Sequence, residues 1–297
     1  MGSKEQASAI KKISTLIFNQ KSEVMPFREK IEETFFTPYL PQGVSFQEEQ
    51  LEEVMCDVLT PLVYAHNRVM LYIHGGSFVG GSRKSYRNFC ASLSHESSTK
   101  IIVPEYRLAP EHPFPAAFDD VAAVLQSLLA CNDHVYIAAD TSGACLALAL
   151  VLNLSLQERE KIPEIVLFSP WIDLSNDSEI FSVKHSPDKI MTKEVIKRCS
   201  DIYTYRSNLS NPLVSPLFAS DNQLQNFPPV YFQMGEQELL KIQVDEFTKK
   251  LKRAGVKFTL DIYKKMVHFF QIADEYFPES HLAIEKLGKI IRSRRLE

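Results

Sequence analysis

Residues 134–150 read HVYIAADTSGACLALAL, and this stretch decides the fold. The β-branched and aromatic run from His134 to Ala139 is typical of a buried strand, and the small apolar residues after Gly143 favour a helix. The bend between them is Ala139-Asp140-Thr141-Ser142-Gly143. A strand, a bend of small residues and a helix predict a nucleophile elbow, which exposes a hydroxyl on a strained turn and places the next N–H near an oxyanion.

The pattern around this stretch indicates an α/β protein. From about residue 54 onward, short β-branched runs alternate with helical periodicity, which predicts a mostly parallel sheet with helices on both faces. Only Thr60-Pro61 separates the first two predicted strands, so we expect an antiparallel hairpin at one edge of the sheet. The eight predicted strands are EVMCDVL (53–59), LVYAH (62–66), RVMLYIH (68–74), KIIVPEY (100–106), HVYIAA (134–139), EIVLFS (164–169), PVYFQM (229–234) and KFTLDIY (257–263).

Two segments interrupt the alternation. Residues 1–45 carry helical stripes such as Ile10, Ile13 and Ile17, and residues from about 175 to 212 hold one helical stretch among polar loop residues. No linker rich in Gly and Ser separates a second domain. We therefore expect residues 1–297 to form one domain, in which the two interruptions build a helical lid.

Composition and charge exclude several classes of protein. The 297 residues are 45% hydrophobic and 24% charged, as in a packed soluble protein, and the formal net charge of -4 argues against nucleic-acid and membrane-surface partners. No apolar run approaches the roughly 18 residues of a membrane span, and no secretory signal opens the chain, so we expect a cytoplasmic protein. The five cysteines and eight histidines lack the spacing of metal ligands, so we expect no metal and no other cofactor.

A second glycine bend follows the strand RVMLYIH and reads His74-Gly75-Gly76-Ser77-Phe78. Open α/β sheets bind ligands at the carboxyl ends of their strands, and successive N–H groups in such a turn can face an anion. Alone, two glycines equally predict a plain tight turn. The elbow at residues 139–143 favours the anion-binding interpretation.

Over nearly its whole length the sequence resembles the hormone-sensitive-lipase-like esterases of the α/β-hydrolase fold. The resemblance implies an eight-stranded, mostly parallel sheet, a helical lid and hydrolysis of small or short-acyl carboxylic esters. Homodimers are common in the family, so a homodimer is one possible state, and the sequence itself does not determine the oligomeric state. The matching segments are YIHGGSFVGGS (72–82), EYRLAPEHPFPAAFDD (105–120), AADTSGACLALAL (138–150), SPWIDLS (169–175), SPL (215–217), PPVYFQMGEQELL (228–240), LKRAGVKFTL (251–260) and KKMVHFF (264–270).

The resemblance also implies a role for single residues. It places the nucleophile at Thr141, the triad acid at Glu238 and the base at His268, in the order that the fold usually has. In such a triad the imidazole takes the hydroxyl proton and later gives it to the leaving group. The carboxylate fixes the ring tautomer and stabilises the imidazolium.

Four backbone N–H groups are expected to bind the oxyanion, those of Gly75, Gly76, Ser77 and Ser142. Ser77 replaces the third glycine of the family, which keeps the N–H and adds a side chain. For Ser142 we expect the change to alanine to have little effect, because alanine retains the backbone N–H.

The elbow departs from the family's Gly-Asp-Ser-Ala-Gly, since Thr141 stands at the nucleophile position. A β-branched residue on a strained turn costs on the order of 1–3 kcal/mol, and its secondary hydroxyl is hindered. Three interpretations remain open. The first is an ester hydrolase that works slowly through Thr141, or fully if Thr141 is an engineered replacement of a native serine. The second is a catalytically silent small-molecule-binding protein on a hydrolase scaffold, like the plant gibberellin receptors, and the third is a structural or interaction protein. The intact Glu238 and His268 favour the enzyme.

Overall fold

The computed structural model describes residues 3–175 and 178–294. Within them one sheet holds eight strands in the order β1-β2-β4-β3-β5-β6-β7-β8. Strand β2 pairs antiparallel with β1 and β4, and every other pair of neighbours is parallel. The strands are β1 (Val44–Leu51), β2 (Val54–Pro61), β3 (Arg68–Ile73), β4 (Lys100–Pro104), β5 (His134–Asp140), β6 (Ile165–Phe168), β7 (Val230–Gly235) and β8 (Phe258–Tyr263).

Helices cover the sheet, because its central strands are buried at every position. All six residues of β3 and of β7 are buried, which requires cover on both faces. Helix α3 packs against α9 and against β2 and β4, while α4 packs against α5. The α-helices are α1 (Ser3–Ile13), α2 (Val24–Phe35), α3 (Arg83–Ser97), α4 (Ala116–Cys131), α5 (Thr141–Asn153), α6 (Leu156–Glu160), α7 (Lys193–Tyr203), α8 (Lys241–Arg253) and α9 (Pro278–Ser293).

The edge hairpin is built from other residues than predicted. Strand β1 pairs with β2 so that Ser45 faces Thr60, and residues 62–66, predicted as a strand, form no strand. Leu62 and Val63 are 85% and 77% exposed. The prediction was wrong because β1 is an edge strand exposed along most of its length, so its sequence VSFQEEQL lacks apolar alternation.

The first interruption of the alternation lies against the turn that follows β3. Arg28 in α2 donates from Nε to the carbonyl oxygen of Val79 at 2.8 Å, and it binds Glu111 at 2.7 Å. The second interruption contains α7, and its residues 176 and 177 lie outside the described part of the chain. That these segments act as a lid stays a prediction. None of the described helices combines the length and the hydrophobicity that crossing a membrane requires.

Candidate active site

The nucleophile elbow lies between β5 and α5. Thr141 has a φ of +46°, in the left-handed region that favours glycine, which costs a β-branched residue on the order of 1–3 kcal/mol. Gly143 lets the helix approach β3, because a Cβ there would lie 2.2 Å from the carbonyl oxygen of Ile73. The N–H of Trp171 donates to the Thr141 carbonyl oxygen at 3.0 Å. The sequence thus folds into the strained turn that it predicts.

Two loops bring the acid and the base to this elbow. His268 follows β8 and its Nε2 lies 3.0 Å from Thr141 Oγ1. Glu238 follows β7, and its Oε2 lies 3.3 Å from Nδ1 of His268. A proton on Nδ1 serves this second contact and leaves Nε2 free to accept the threonine proton. The structure therefore brings together the side chains of Thr141, His268 and Glu238, to which the resemblance assigns the triad.

Ser169 holds the acid and the base loops together. Its hydroxyl donates to Glu238 Oε1 at 2.7 Å and accepts from the Phe269 N–H at 2.8 Å. The N–H of Gly235 also donates to Glu238 Oε1. Sequence reasoning missed this role of Ser169, although the residue opens the SPWIDLS segment that carries part of the resemblance.

The surroundings of His268 set its protonation. Burial alone would favour the neutral ring, but the hydrogen bond and the charge of Glu238 outweigh burial and raise the pKa of His268 above its ordinary 6.5. The charges of Asp188 and Asp140 act in the same direction. The pocket around the base therefore favours the imidazolium that forms when His268 accepts a proton.

Three N–H groups are available for an oxyanion. The predicted donor Gly75 is not among them, because its N–H donates to Asp140 Oδ1 at 2.9 Å. Within the described residues, the N–H groups of Gly76, Ser77 and Ser142 have no protein acceptor. Gly76 must be glycine, since its φ is +113° and a Cβ would lie 2.2 Å from the Gly80 carbonyl oxygen.

A buried carboxylate ties the glycine turn to the elbow. Asp140 Oδ1 accepts from the Tyr72 hydroxyl at 2.9 Å in addition to the Gly75 N–H, and Oδ2 accepts from the Tyr86 hydroxyl at 3.1 Å. Burial raises the pKa of Asp140 to about 6, and these three donors oppose that rise. Sequence reasoning missed this network, because the donors come from β3, the turn and α3.

The Ser142 hydroxyl has a partner that the sequence did not indicate. Its Oγ accepts from the Phe78 N–H at 3.2 Å, so the elbow and the glycine turn share a second contact. The expectation that only the backbone of Ser142 matters is therefore incomplete. A hydroxyl at this position fixes the turn whose N–H groups face the oxyanion.

Aromatic side chains surround the elbow. Phe78 stacks on Tyr203 with ring centroids 3.9 Å apart, and its centroid lies 5.5 Å from that of Trp171. Thr141 is only 3% exposed and His268 1%. Both side chains are therefore almost completely enclosed.

A large cavity of about 1100 Å³ lies apart from these residues. It is lined by α3, the start of α9 and the residues between 34 and 43, and neither Thr141 nor His268 contributes to its walls. The candidate site is therefore defined by the contacts among Thr141, His268 and Glu238 and not by the size of a cavity.

Comparison with known proteins identifies the family of the chain. Residues 70–272 match a family model described as alpha/beta hydrolase fold. An esterase of Acinetobacter venetianus is 33% identical over 235 residues, which cover 77% of this chain and 76% of that protein. An acetyl-hydrolase of Streptomyces hygroscopicus is 29% identical over 229 residues, 76% of each chain.

The fold agrees with these relatives. A crystal structure of an esterase from the bacterial hormone-sensitive lipase family superposes with a TM-score of 0.88 at 27% identity, over 98% of both chains. The predicted α/β-hydrolase fold, with its eight-stranded and mostly parallel sheet, is confirmed. The chain belongs to the hormone-sensitive-lipase-like esterases of the α/β-hydrolase fold.

Proposed function

We propose that the chain hydrolyses small, short-acyl carboxylic esters through Thr141, His268 and Glu238. The observation that carries this proposal is the pair of contacts at His268, with Nε2 3.0 Å from Thr141 Oγ1 and Nδ1 3.3 Å from Glu238 Oε2. These contacts are the ones that a nucleophile, a base and an orienting acid require.

In the first half of the reaction, Thr141 Oγ1 attacks the ester carbonyl carbon while its proton passes to His268 Nε2. The carbonyl oxygen becomes an oxyanion, which accepts hydrogen bonds from the N–H groups of Gly76, Ser77 and Ser142. The intermediate then collapses, and the imidazolium gives its proton to the departing alcohol. An acyl ester on Thr141 remains.

In the second half, water takes the place of the alcohol. His268 removes a proton from the water, the hydroxide attacks the acyl carbon, and the same N–H groups bind the new oxyanion. Thr141 Oγ1 leaves with the proton from His268, and the carboxylic acid is released. The steps use only side chains and backbone N–H groups of the chain, so no cofactor and no metal enter them.

The size of the substrate follows from the space around the elbow and from the relatives. Phe78, Trp171 and Tyr203 are buried, and the Phe78 ring contacts the other two rings near the elbow, which favours a short acyl group. The likeness to an acetyl-hydrolase supports the same choice. The methyl group of Thr141 crowds the attack, so we expect turnover that is slow for this fold.

A second candidate is a catalytically silent binding protein on the same scaffold. Thr141 at the nucleophile position and the burial of the site favour it, while the complete hydrogen-bonded pairing of His268 favours the enzyme. Release of nitrophenolate from p-nitrophenyl acetate separates the two. We expect slow release by the parent chain, faster release after Thr141→Ser and none above buffer after His268→Ala in either background.

The opposite result would support the binding protein. If Thr141→Ser were as inert as the parent while a small ligand still bound tightly, the turn and the pocket would be non-catalytic.

The net charge and the sequence pattern support a cytoplasmic protein without nucleic acid or membrane as partner. The resemblance supports a homodimer, because homodimers are common in the family. Light scattering in solution would test the predicted stoichiometry.

A further inference from the structure

The side chain of Ser77 joins the glycine turn to the N-terminal segment. Ser77 has a φ of +62°, where glycine is favoured, and it is buried. Its Oγ accepts from the Phe18 N–H at 3.1 Å and donates to the Leu16 carbonyl oxygen at 3.3 Å. One residue therefore supplies both a proposed oxyanion N–H and two hydrogen bonds to a segment 59 to 61 residues away in the sequence.

The same segment is also held by α7. Cys199 Sγ donates to the Phe18 carbonyl oxygen at 3.5 Å. The Arg198 guanidinium lies 4.4 Å from the centroid of the Phe18 ring and donates to the Ser22 carbonyl oxygen at 2.7 Å. Residues 16–22 thus contact both the glycine turn and α7.

The glycine turn has anchors on both sides of Ser77. Gly75 is bonded through its N–H to Asp140, and Phe78 through its N–H to Ser142. Both anchors belong to the elbow, and Arg28 of α2 binds the Val79 carbonyl oxygen further along the turn. The hydroxyl of Ser77 is the contact through which the position of residues 16–18 reaches the Ser77 peptide, which carries a proposed oxyanion N–H.

We propose that Ser77 is a positioning residue, whose hydroxyl couples the packing of residues 16–18 to the geometry of the oxyanion-binding turn. When the segment is packed, its two hydrogen bonds hold Ser77 in the left-handed conformation that points the Ser77 N–H at the oxyanion. When the segment leaves, a serine at this φ relaxes and the donor turns away. The proposal rests on the proposed ester hydrolysis, because it assigns the oxyanion to these N–H groups.

Two variants separate coupling from simple packing. Ser77→Gly removes the hydroxyl and suits the backbone, whereas Ser77→Ala removes the hydroxyl and keeps the Cβ. Glu275→Gln is the matched control, because it weakens another contact of the N-terminal helices, the Lys12–Glu275 ion pair at 2.5 Å, which does not involve the turn. A structural role of the hydroxyl alone would change stability and leave the chemical step unchanged.

The test combines amide hydrogen exchange of the unliganded chain with kinetics on p-nitrophenyl acetate in the Thr141→Ser background. In both Ser77 variants we expect the Phe18 amide to exchange at least tenfold faster, because it loses its acceptor. The Phe78 amide should exchange faster only in Ser77→Ala, because glycine holds this φ without the hydroxyl. In Ser77→Ala we also expect kcat to fall about tenfold with KM nearly unchanged, since the N–H is needed mainly in the transition state, whereas Ser77→Gly should keep kcat near the parent value. Glu275→Gln should retain the protection of both amides and the parent kcat.

Unchanged exchange at Phe78 in Ser77→Ala would overturn the proposal, and so would faster exchange in that variant with an unchanged kcat. If the Thr141→Ser background hydrolyses nothing, the proposed function fails. The exchange of the Phe78 amide in Ser77→Ala then decides the coupling by itself, because it reports the turn without catalysis. Protection of Phe78 that survives in Ser77→Ala would contradict the coupling.

Discussion

Thr141 Oγ1 lies 3.0 Å from Nε2 of His268, within hydrogen-bond distance although the threonine stands on a turn with a φ of +46°. The β-branched side chain therefore occupies the nucleophile position without losing contact with the base. The proposed acid, base and N–H donors are also in place. In the proposed reaction, threonine adds crowding at the attacking oxygen.

Replacement of the nucleophile should change the rate in two directions. Thr141→Ser should raise kcat for p-nitrophenyl acetate about tenfold or more, which corresponds to about 1.4 kcal/mol of barrier, because the methyl group is removed. Thr141→Ala should abolish turnover. Thr248→Ser, on α8, is the control and should leave kcat unchanged, since that hydroxyl bonds only to the Asp245 carbonyl oxygen. Equal rates for the parent and Thr141→Ser would argue against crowding.

Removal of the charge at the triad acid should lower the rate strongly. Glu238→Gln keeps the size of the side chain but no longer stabilises the imidazolium of His268, so kcat should fall on the order of 10³-fold. Glu236→Gln is the matched control, because that exposed carboxylate accepts from the Lys265 N–H and does not contact His268. A similar loss in both variants would point to a structural effect of this loop.

The pH dependence of kcat/KM should report the protonation of His268. His268 acts when neutral, so kcat/KM should rise as the pH passes upward through its pKa, which Glu238 raises above 6.5 against the effect of burial. The midpoint in the free enzyme should therefore lie above 6.5, and Glu238→Gln should move it to lower pH. A midpoint below 6.5, or one that does not move in the variant, contradicts this assignment.

The Ser142 hydroxyl should matter for both stability and rate. Ser142→Ala leaves the buried Phe78 N–H without its acceptor, which should lower the free energy of unfolding by about 1–3 kcal/mol and reduce kcat several-fold. Ser94→Ala serves as control, since this buried hydroxyl donates to the Thr99 carbonyl oxygen, away from the elbow. It should lower stability in denaturant melts and spare kcat.

The sequence predicted the elements whose signal is local. The strand and the bend at 134–143 and the glycine turn at 74–78 carry their own patterns, and the structure has both. The pairing of Glu238 with His268 came from family resemblance, because the two residues lie on separate loops. Strand β1 was missed because an exposed edge strand has no apolar alternation.

The contacts that were missed depend on tertiary approach. Ser169 links the loop of Glu238 to the loop of His268. Asp140 accepts hydrogen bonds from β3, the glycine turn and α3. The hydroxyls of Ser77 and Ser142 find partners only once the glycine turn meets the N-terminal segment and the elbow. No spacing along the chain encodes these approaches.

Covalent labelling tests the central claim that Thr141 is the nucleophile. The parent chain would be treated with a p-nitrophenyl phosphonate, which phosphonylates the attacking oxygen and releases nitrophenolate, and the modified residue would be identified by peptide mass spectrometry. We predict the adduct on Thr141, with no adduct after Thr141→Ala or His268→Ala. An adduct on Ser142, or labelling that persists in Thr141→Ala, would contradict the account.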